Sequence, residues 1–152
     1  RLVDCSKEGF LAALEISCYS FIRMAHLAEP LMTNGGAMFT MSYYGADKVI
    51  ENYNVMGPVK AALEASTRYM AWELGPKGIR VHAISPGPLA TRAASGLKHF
   101  DQLLDKAAAE APARQLVTIE DVGIACASLA TDAARLITGE TIYIDGGLHI
   151  VA

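Results

Sequence analysis

Three short apolar runs, "AMFTMS" (37–42), "IRVHAIS" (79–85) and "TIYIDGG" (141–147), stand between long stretches whose apolar residues recur at helical spacing. This alternation constrains the fold more than any other feature of the chain. A continuous apolar run of that length suits a strand buried on both faces, and the helical stretches supply the crossovers that parallel pairing requires. The pattern predicts an α/β fold whose parallel sheet is covered on both sides. Three strands are too few for a complete doubly wound sheet. No G-x-G-x-x-G stands anywhere in the chain, and the glycine-rich "TNGG" (33–36) precedes a strand instead of following one. The chain reads as the second half of a larger fold.

From Ser6 to Met32 the apolar residues Phe10, Leu14, Phe21, Leu27 and Leu31 predict one long helix that starts at Ser6 and ends near Glu29-Pro30. Pro58 falls inside a second helical pattern, where an interior proline costs about 3 kcal/mol. With Asn54 as N-cap, Pro58 sits in the first turn, whose N–H groups lack partners in any case, and the helix runs from about Val55 to Leu74. "TRAASGLKHFDQLLDKAAAEAP" reads as one or two short helices. "TIEDVGIACASLATD" reads as a helix capped by Thr118, with Asp121 three residues on.

Hydrophobic residues make up 52% of the 152 positions and charged ones 19%, which excludes a disordered chain. A net charge of −3 and a pI near 5.8 leave no basic excess for a nucleic-acid backbone. Cys5, Cys18 and Cys126 form no C-x-x-C pair, and the four histidines show no ligand spacing, so neither a disulfide framework nor a metal site is expected. No apolar run reaches transmembrane length and the first residues do not read as a signal peptide. The expectation is a soluble cytoplasmic protein with no membrane partner.

Open α/β sheets bind ligands beyond the carboxyl ends of their strands. Here those ends are "SYYG", "SPGPLATR" and "DGGLH", and a site built there would gather Tyr43, Tyr53 and Lys60 with the backbone of Pro88 to Thr91. A phenol titrates at about 10 unless its surroundings change that, and a nearby ammonium favours the phenolate. At 4 Å and an effective dielectric of 20 such a pair is worth about 4 kcal/mol. Read singly, the two tyrosines are equally packing residues with tethered hydroxyls, and Lys60 a solvated helix lysine.

The combination resembles a known family. "YYGADKVIENYNVMGPVKAALEA", "RVHAISPGPLATRAASG", "TIEDVG" and "TGETIYIDGG" are similar to the bacterial enoyl-acyl-carrier-protein reductases of type II fatty-acid synthesis, a divergent branch of the short-chain dehydrogenase/reductase superfamily. The likeness runs from Asp4 to the end. It implies that residues 1–152 are the C-terminal part of a single Rossmann-like reductase domain whose N-terminal dinucleotide-binding half is absent. Ordinary superfamily members carry Tyr-x-x-x-Lys, with a serine about thirteen residues before the tyrosine. In this chain those two positions hold Met56 and Tyr43, and the tyrosine stands a helical turn earlier, at Tyr53. Ser17 stands where many relatives place an asparagine.

The resemblance implies reduction of the trans-2 double bond of an enoyl thioester by NADH. Tyr53 would donate to the thioester oxygen, Lys60 would hold the nicotinamide ribose, and Tyr43 would either position the thioester or help protonate C2. Pro88, Leu89, Ala90, Thr91, Arg92 and Ala93 resemble the cofactor-contacting loop. Tyr43, Tyr53, Met56, Ala93, Ala94, Leu97 and Phe100 would line the acyl pocket, with Pro88 completing its edge. At helical spacing alone, Leu97, Phe100, Leu103 and Leu104 read as core. The implied partners are an enoyl-acyl-carrier protein as substrate and three further copies in a homotetramer, with Ala12, Ala13, Ala65 and Ala71 allowing close helix contact. The rival readings are an ordinary ketone or alcohol dehydrogenase, disfavoured by Met56, and a non-catalytic scaffold of the same fold.

Overall fold

The computed structural model describes residues 1–89, 91 and 100–151. Strands β1 (Gly36–Met41), β2 (Ile79–Pro86) and β3 (Thr141–Ile144) form a parallel sheet in the order β1-β2-β3. The register pairs Met41 with Ile84 and Pro86 with Ile144, so the three carboxyl ends lie side by side. β2 is central and buried along nearly its whole length, as its sequence predicts. β1 and β3 are only partly buried, contrary to the expected full burial, because each is an edge among the described strands.

Six helices are described: α1 (Lys7–Leu14), α2 (Ser20–Ala28), α3 (Met56–Leu74), α4 (Phe100–Glu110), α5 (Ile119–Ala130) and the short α6 (Leu148–Val151). Successive residues of a strand point to opposite faces, and β2 uses this to anchor helices on both. Ile79 and Val81 join Val59, Leu63, Met70, Ala71 and Leu74 of α3 and Phe21 and Ala25 of α2 in one core. Arg80, on the other face, donates through its guanidinium to the carbonyls of Leu129, Ala130 and Ala134, where α5 ends. α5 begins with the expected cap: Thr118 and Asp121 exchange bonds in both directions.

Two local expectations are corrected. The first long helix is not uniform: α1 and α2 are joined by a π-helical segment, Glu15–Tyr19, and the run ends in a 3₁₀ turn, Glu29–Leu31. Ser6 caps it as expected, accepting from Gly9 N at 3.0 Å. Asn54 is not the cap of α3. Val55 takes that position without a side-chain bond, and Asn54 sits in the left-handed region at φ 48°, a conformation asparagine tolerates better than most residues. Pro58 does fall in the first turn.

The stretch Lys7–Leu31 also contradicts the expected lack of a long apolar helix: it spans 25 residues and holds an 18-residue window of mean hydropathy 1.2, enough to cross a membrane by length and composition alone. Its inward residues Cys18, Phe21 and Ala25 nevertheless pack in the core with α3, while Leu11, Ile16, Tyr19 and Leu27 are exposed.

His82, beside Arg80 in β2, is 0% exposed, stacks on Phe39 at 5.6 Å, and offers both ring nitrogens no hydrogen-bond partner among the described residues. Burial, with Arg80 next in effect, holds its pKa below the ordinary histidine value. The unfolded chain therefore takes up this proton first. The stability that depends on a neutral His82 is fully present above about pH 6.5 and is lost as pH falls from there through the depressed folded value. Urea titrations at a series of pH values should show this loss, and His82→Phe should flatten it.

Candidate active site

The chain leaves β1 through Ser42 and Tyr43, makes a 3₁₀ turn at Tyr44–Ala46, and returns to α3 through the turn Ile50–Tyr53. Asn52 (φ 64°) and Asn54 (φ 48°) both take left-handed conformations, and between them the chain reverses so that Tyr53 folds back toward the strand end. Its ring lies over Gly45, where an added Cβ would come within 2.6 Å of Tyr53 Cδ1. No larger residue fits there without movement. The Tyr53 ring meets Tyr43 edge to face, with centroids 5.1 Å apart, and Tyr43 meets Tyr44 in the same manner at 4.6 Å. Such contacts fix ring orientation by quadrupole and shape together.

Lys60, in the second turn of α3, donates from Nζ to Met41 O at 2.7 Å. The expected trio of Tyr43, Tyr53 and Lys60 therefore converges on the end of β1. Electrostatically the outcome differs from expectation. Burial foremost, and the Glu64 carboxylate after it, push Tyr53 up to about 12, so its phenol stays neutral and able to donate. Lys60 is lowered by burial, against which Cys18 and Glu64 act. Tyr43 is raised as well, by burial and then by Tyr44, yet Tyr43 Oη makes no well-formed hydrogen bond among the described residues. A buried hydroxyl in that state is suited to an incoming polar group.

At the end of β2, Pro88 is buried, Leu89 half-buried and Thr91 exposed. Gly87 N donates to Ile144 O at 3.0 Å, and a Cβ on Gly87 would stand 3.2 Å from Asp145 Cα, which binds this loop closely to the end of β3. Ala90, Arg92, Ala93, Ala94 and Leu97 lie outside the described residues, as does the side chain of Phe100 at the start of α4. Met56 opens α3 half-buried against the core. Ser17 lies half-buried in the π-helical segment.

Ser42, Glu64, Lys48, Asp145 and His149 were given no role of their own by the sequence, although Ser42, Asp145 and His149 lie in the strand-end segments it marked. Ser42 donates to the Glu64 carboxylate. Buried Asp145 accepts from Gly147 N and His149 N, each at 2.9 Å, and pairs with His149 Nδ1 at 2.8 Å. The His149 ring stacks on Tyr143 at 3.8 Å, and Lys48 donates to His149 O at 2.6 Å, tying the loop after Tyr44 to the end of the chain. Only Glu64 left a usable signal: it stands four residues after Lys60, hence on the same helix face.

The arrangement suits a nicotinamide nucleotide. An ammonium carries three N–H donors, and Lys60 gives one to Met41 O, leaving two for the neighbouring hydroxyls of a ribose. A three-stranded parallel sheet with helices on both faces, and two phenols and an ammonium at its carboxyl edge, matches part of a Rossmann-like fold. A family model described as enoyl-(acyl carrier protein) reductase matches residues 1–149, and the chain belongs to that family. It is 50% identical over 147 residues to the enoyl-[acyl-carrier-protein] reductase [NADH] FabI of Escherichia coli K12, covering 97% of this chain and 56% of the relative. The corresponding Rickettsia prowazekii protein is 48% identical over 151 residues, 99% of this chain and 58% of the relative. In structure the chain is similar to the Bacillus cereus enoyl-acyl carrier protein reductase crystallised with NADP+ and indole naphthyridinone, with a TM-score of 0.98 and 45% identity over 100% of this chain and 59% of that one. The Anaplasma phagocytophilum reductase crystallised with NAD gives 0.92 and 49%, covering 100% and 56%. The chain thus spans little more than half the length of these relatives.

Proposed function

We propose that the protein reduces the trans-2 double bond of enoyl thioesters carried on acyl-carrier protein, with NADH as reductant, and that residues 1–152 form the C-terminal part of one Rossmann-like reductase domain. The observation that carries this reading is the neutral Tyr53 phenol, folded back against Tyr43 beside Lys60 at the end of β1. Met56 occupies the position from which a ketone reductase of the superfamily would present its acid.

Reduced nicotinamide supplies hydride to C3 of the enoyl group. Negative charge then develops on the thioester oxygen, and Tyr53 donates its hydrogen bond there, where it counts most in the transition state. Lys60 holds the ribose hydroxyls and keeps a positive charge near the developing enolate. Tyr43, with its buried hydroxyl, positions the thioester or assists protonation at C2. Pro88, Leu89, Ala90, Thr91, Arg92 and Ala93 contact the cofactor, and Met56, Ala93, Ala94, Leu97 and Phe100 line the acyl chain. NADH is chosen over NADPH because the curated relatives are named for it.

Four copies assemble through α1, α2 and α3, where Ile16 is 71% and Trp72 80% exposed beside Leu11, Tyr19 and Tyr69. Ala71, expected at that contact, is buried in the chain's own core. The three cysteines are free, as suits the cytoplasm. The test is NADH oxidation by the full chain encoded by the gene, with crotonyl thioester as substrate. Turnover of the thioester far above that of any ketone or saturated alcohol is expected, and the reverse preference would overturn the reading.

A further inference from the structure

We propose that Glu64 is a positioning residue for this reaction: together with Lys60 it clamps the end of β1, and its carboxylate charge acts on both Lys60 and Tyr53. The proposal rests on the enoyl-thioester reading above.

Lys60 and Glu64 are one helical turn apart on the same face of α3. They grip consecutive residues of the strand exit, Lys60 taking the carbonyl of Met41 and Glu64 the hydroxyl of Ser42. The next residue is Tyr43, against which Tyr53 packs. Ser42 is buried, so its bond to a carboxylate is charge-assisted and shielded from competing water. Two anchors from one helix turn therefore set where the tyrosine pair stands.

The charge has a second consequence. A phenolate cannot donate to the thioester oxygen, and a carboxylate that faces Tyr53 opposes its formation. The groups that face Glu64 are Lys60 from α3 itself, Ser42 and Tyr53 from the connection between β1 and α3, and Tyr143 from β3; Cys18 faces Lys60 from the π-helical segment, and Tyr43 faces Tyr53. Glu64 is the one carboxylate among those groups. Burial raises Tyr53 and lowers Lys60; Glu64 adds to the first and, with Cys18, opposes the second, so its charge favours both the neutral phenol and the charged ammonium.

Glu64→Gln keeps an acceptor for Ser42 and removes the charge, whereas Ser42→Ala keeps the charge and removes the bond. In the full chain, Glu64→Gln should move the alkaline limb of the kcat profile to lower pH by roughly half a unit or more, with KM for NADH within about twofold. Tyr53, labelled with ¹³C at Cζ and followed by NMR without substrate, should ionise at a correspondingly lower pH. Ser42→Ala should lower kcat without moving either titration. Glu64→Asp should restore the parent titration, and it serves as the charged comparison should Glu64→Gln fold poorly, with Ser42→Ala then carrying the uncoupling of bond from charge. An unmoved Tyr53 titration in Glu64→Gln, or one moved equally by Ser42→Ala, overturns the proposal. Absence of thioester reduction by the unaltered chain overturns the functional reading instead, because the NMR titration needs no turnover.

Discussion

Tyr53→Phe lowers kcat for enoyl-thioester reduction by about a hundredfold or more, the usual loss for one oxyanion donor, and leaves NADH binding within about twofold. The substitution is sharply targeted because the phenylalanine ring keeps the edge-to-face contact with Tyr43 and the packing over Gly45. Only the hydroxyl is lost. That hydroxyl is held at a pKa of about 12 by burial and by Glu64, so at neutral pH it is a donor and not a base. A donor aimed at the oxygen that gains charge stabilises the transition state more than the bound substrate, and its loss should appear in kcat and kcat/KM together. Steady-state rates with crotonyl thioester, beside NADH binding by fluorescence, separate the two effects. Full activity in Tyr53→Phe would remove Tyr53 from the mechanism.

Arg80→Met costs about 3 kcal/mol of stability, the second large effect expected. Arg80 is 9% exposed, and its guanidinium donates to the carbonyls of Leu129 and Ala130 at the end of α5 and of Ala134 in the turn that follows. The Leu129 and Ala130 carbonyls belong to the last turn of α5, lack helical partners and carry the negative end of the helix dipole, so a cation there satisfies bonds and charge together. Methionine fills much of the volume but leaves the Leu129 and Ala130 carbonyls without their donor, while Ala134 keeps its bond from Ile137 N. Arg80→Lys should recover part of the loss, since a single ammonium cannot reach all three acceptors with the geometry of a planar fork. Urea unfolding of the three proteins measures the series; equal midpoints for Arg80→Met and the parent would refute the capping role.

The Arg80 contact shows where sequence reading stops. In "IRVHAIS" the strand is evident, yet the run gives no hint that its arginine reaches the end of a helix some fifty residues later. Glu64 is similar: its spacing from Lys60 is visible, but its bond to Ser42 depends on how α3 lies across the end of β1. The net shift of Tyr53 runs opposite to the expected one for the same reason. The sequence offers an ammonium and a phenol, and only packing reveals the burial and the Glu64 carboxylate that raise the phenol. The π-helical segment was hidden because its apolar spacing stays within reach of an ordinary helical pattern.

Local chemistry written in the chain determined the alternation of strands and helices, the parallel sheet, the Thr118 cap of α5, the first-turn place of Pro58 and the candidate trio of Tyr43, Tyr53 and Lys60. Each depends on neighbours within a turn or two, or on the period of burial along one element. Tertiary structure alone decided which charges face Tyr53, what closes the end of α5, and how Asp145 and His149 brace the loop after Tyr44 through Lys48. Lys48 with His149 and Arg80 with Leu129 join residues far apart in sequence, and the strength of such contacts comes from burial, which exists only once the elements have packed.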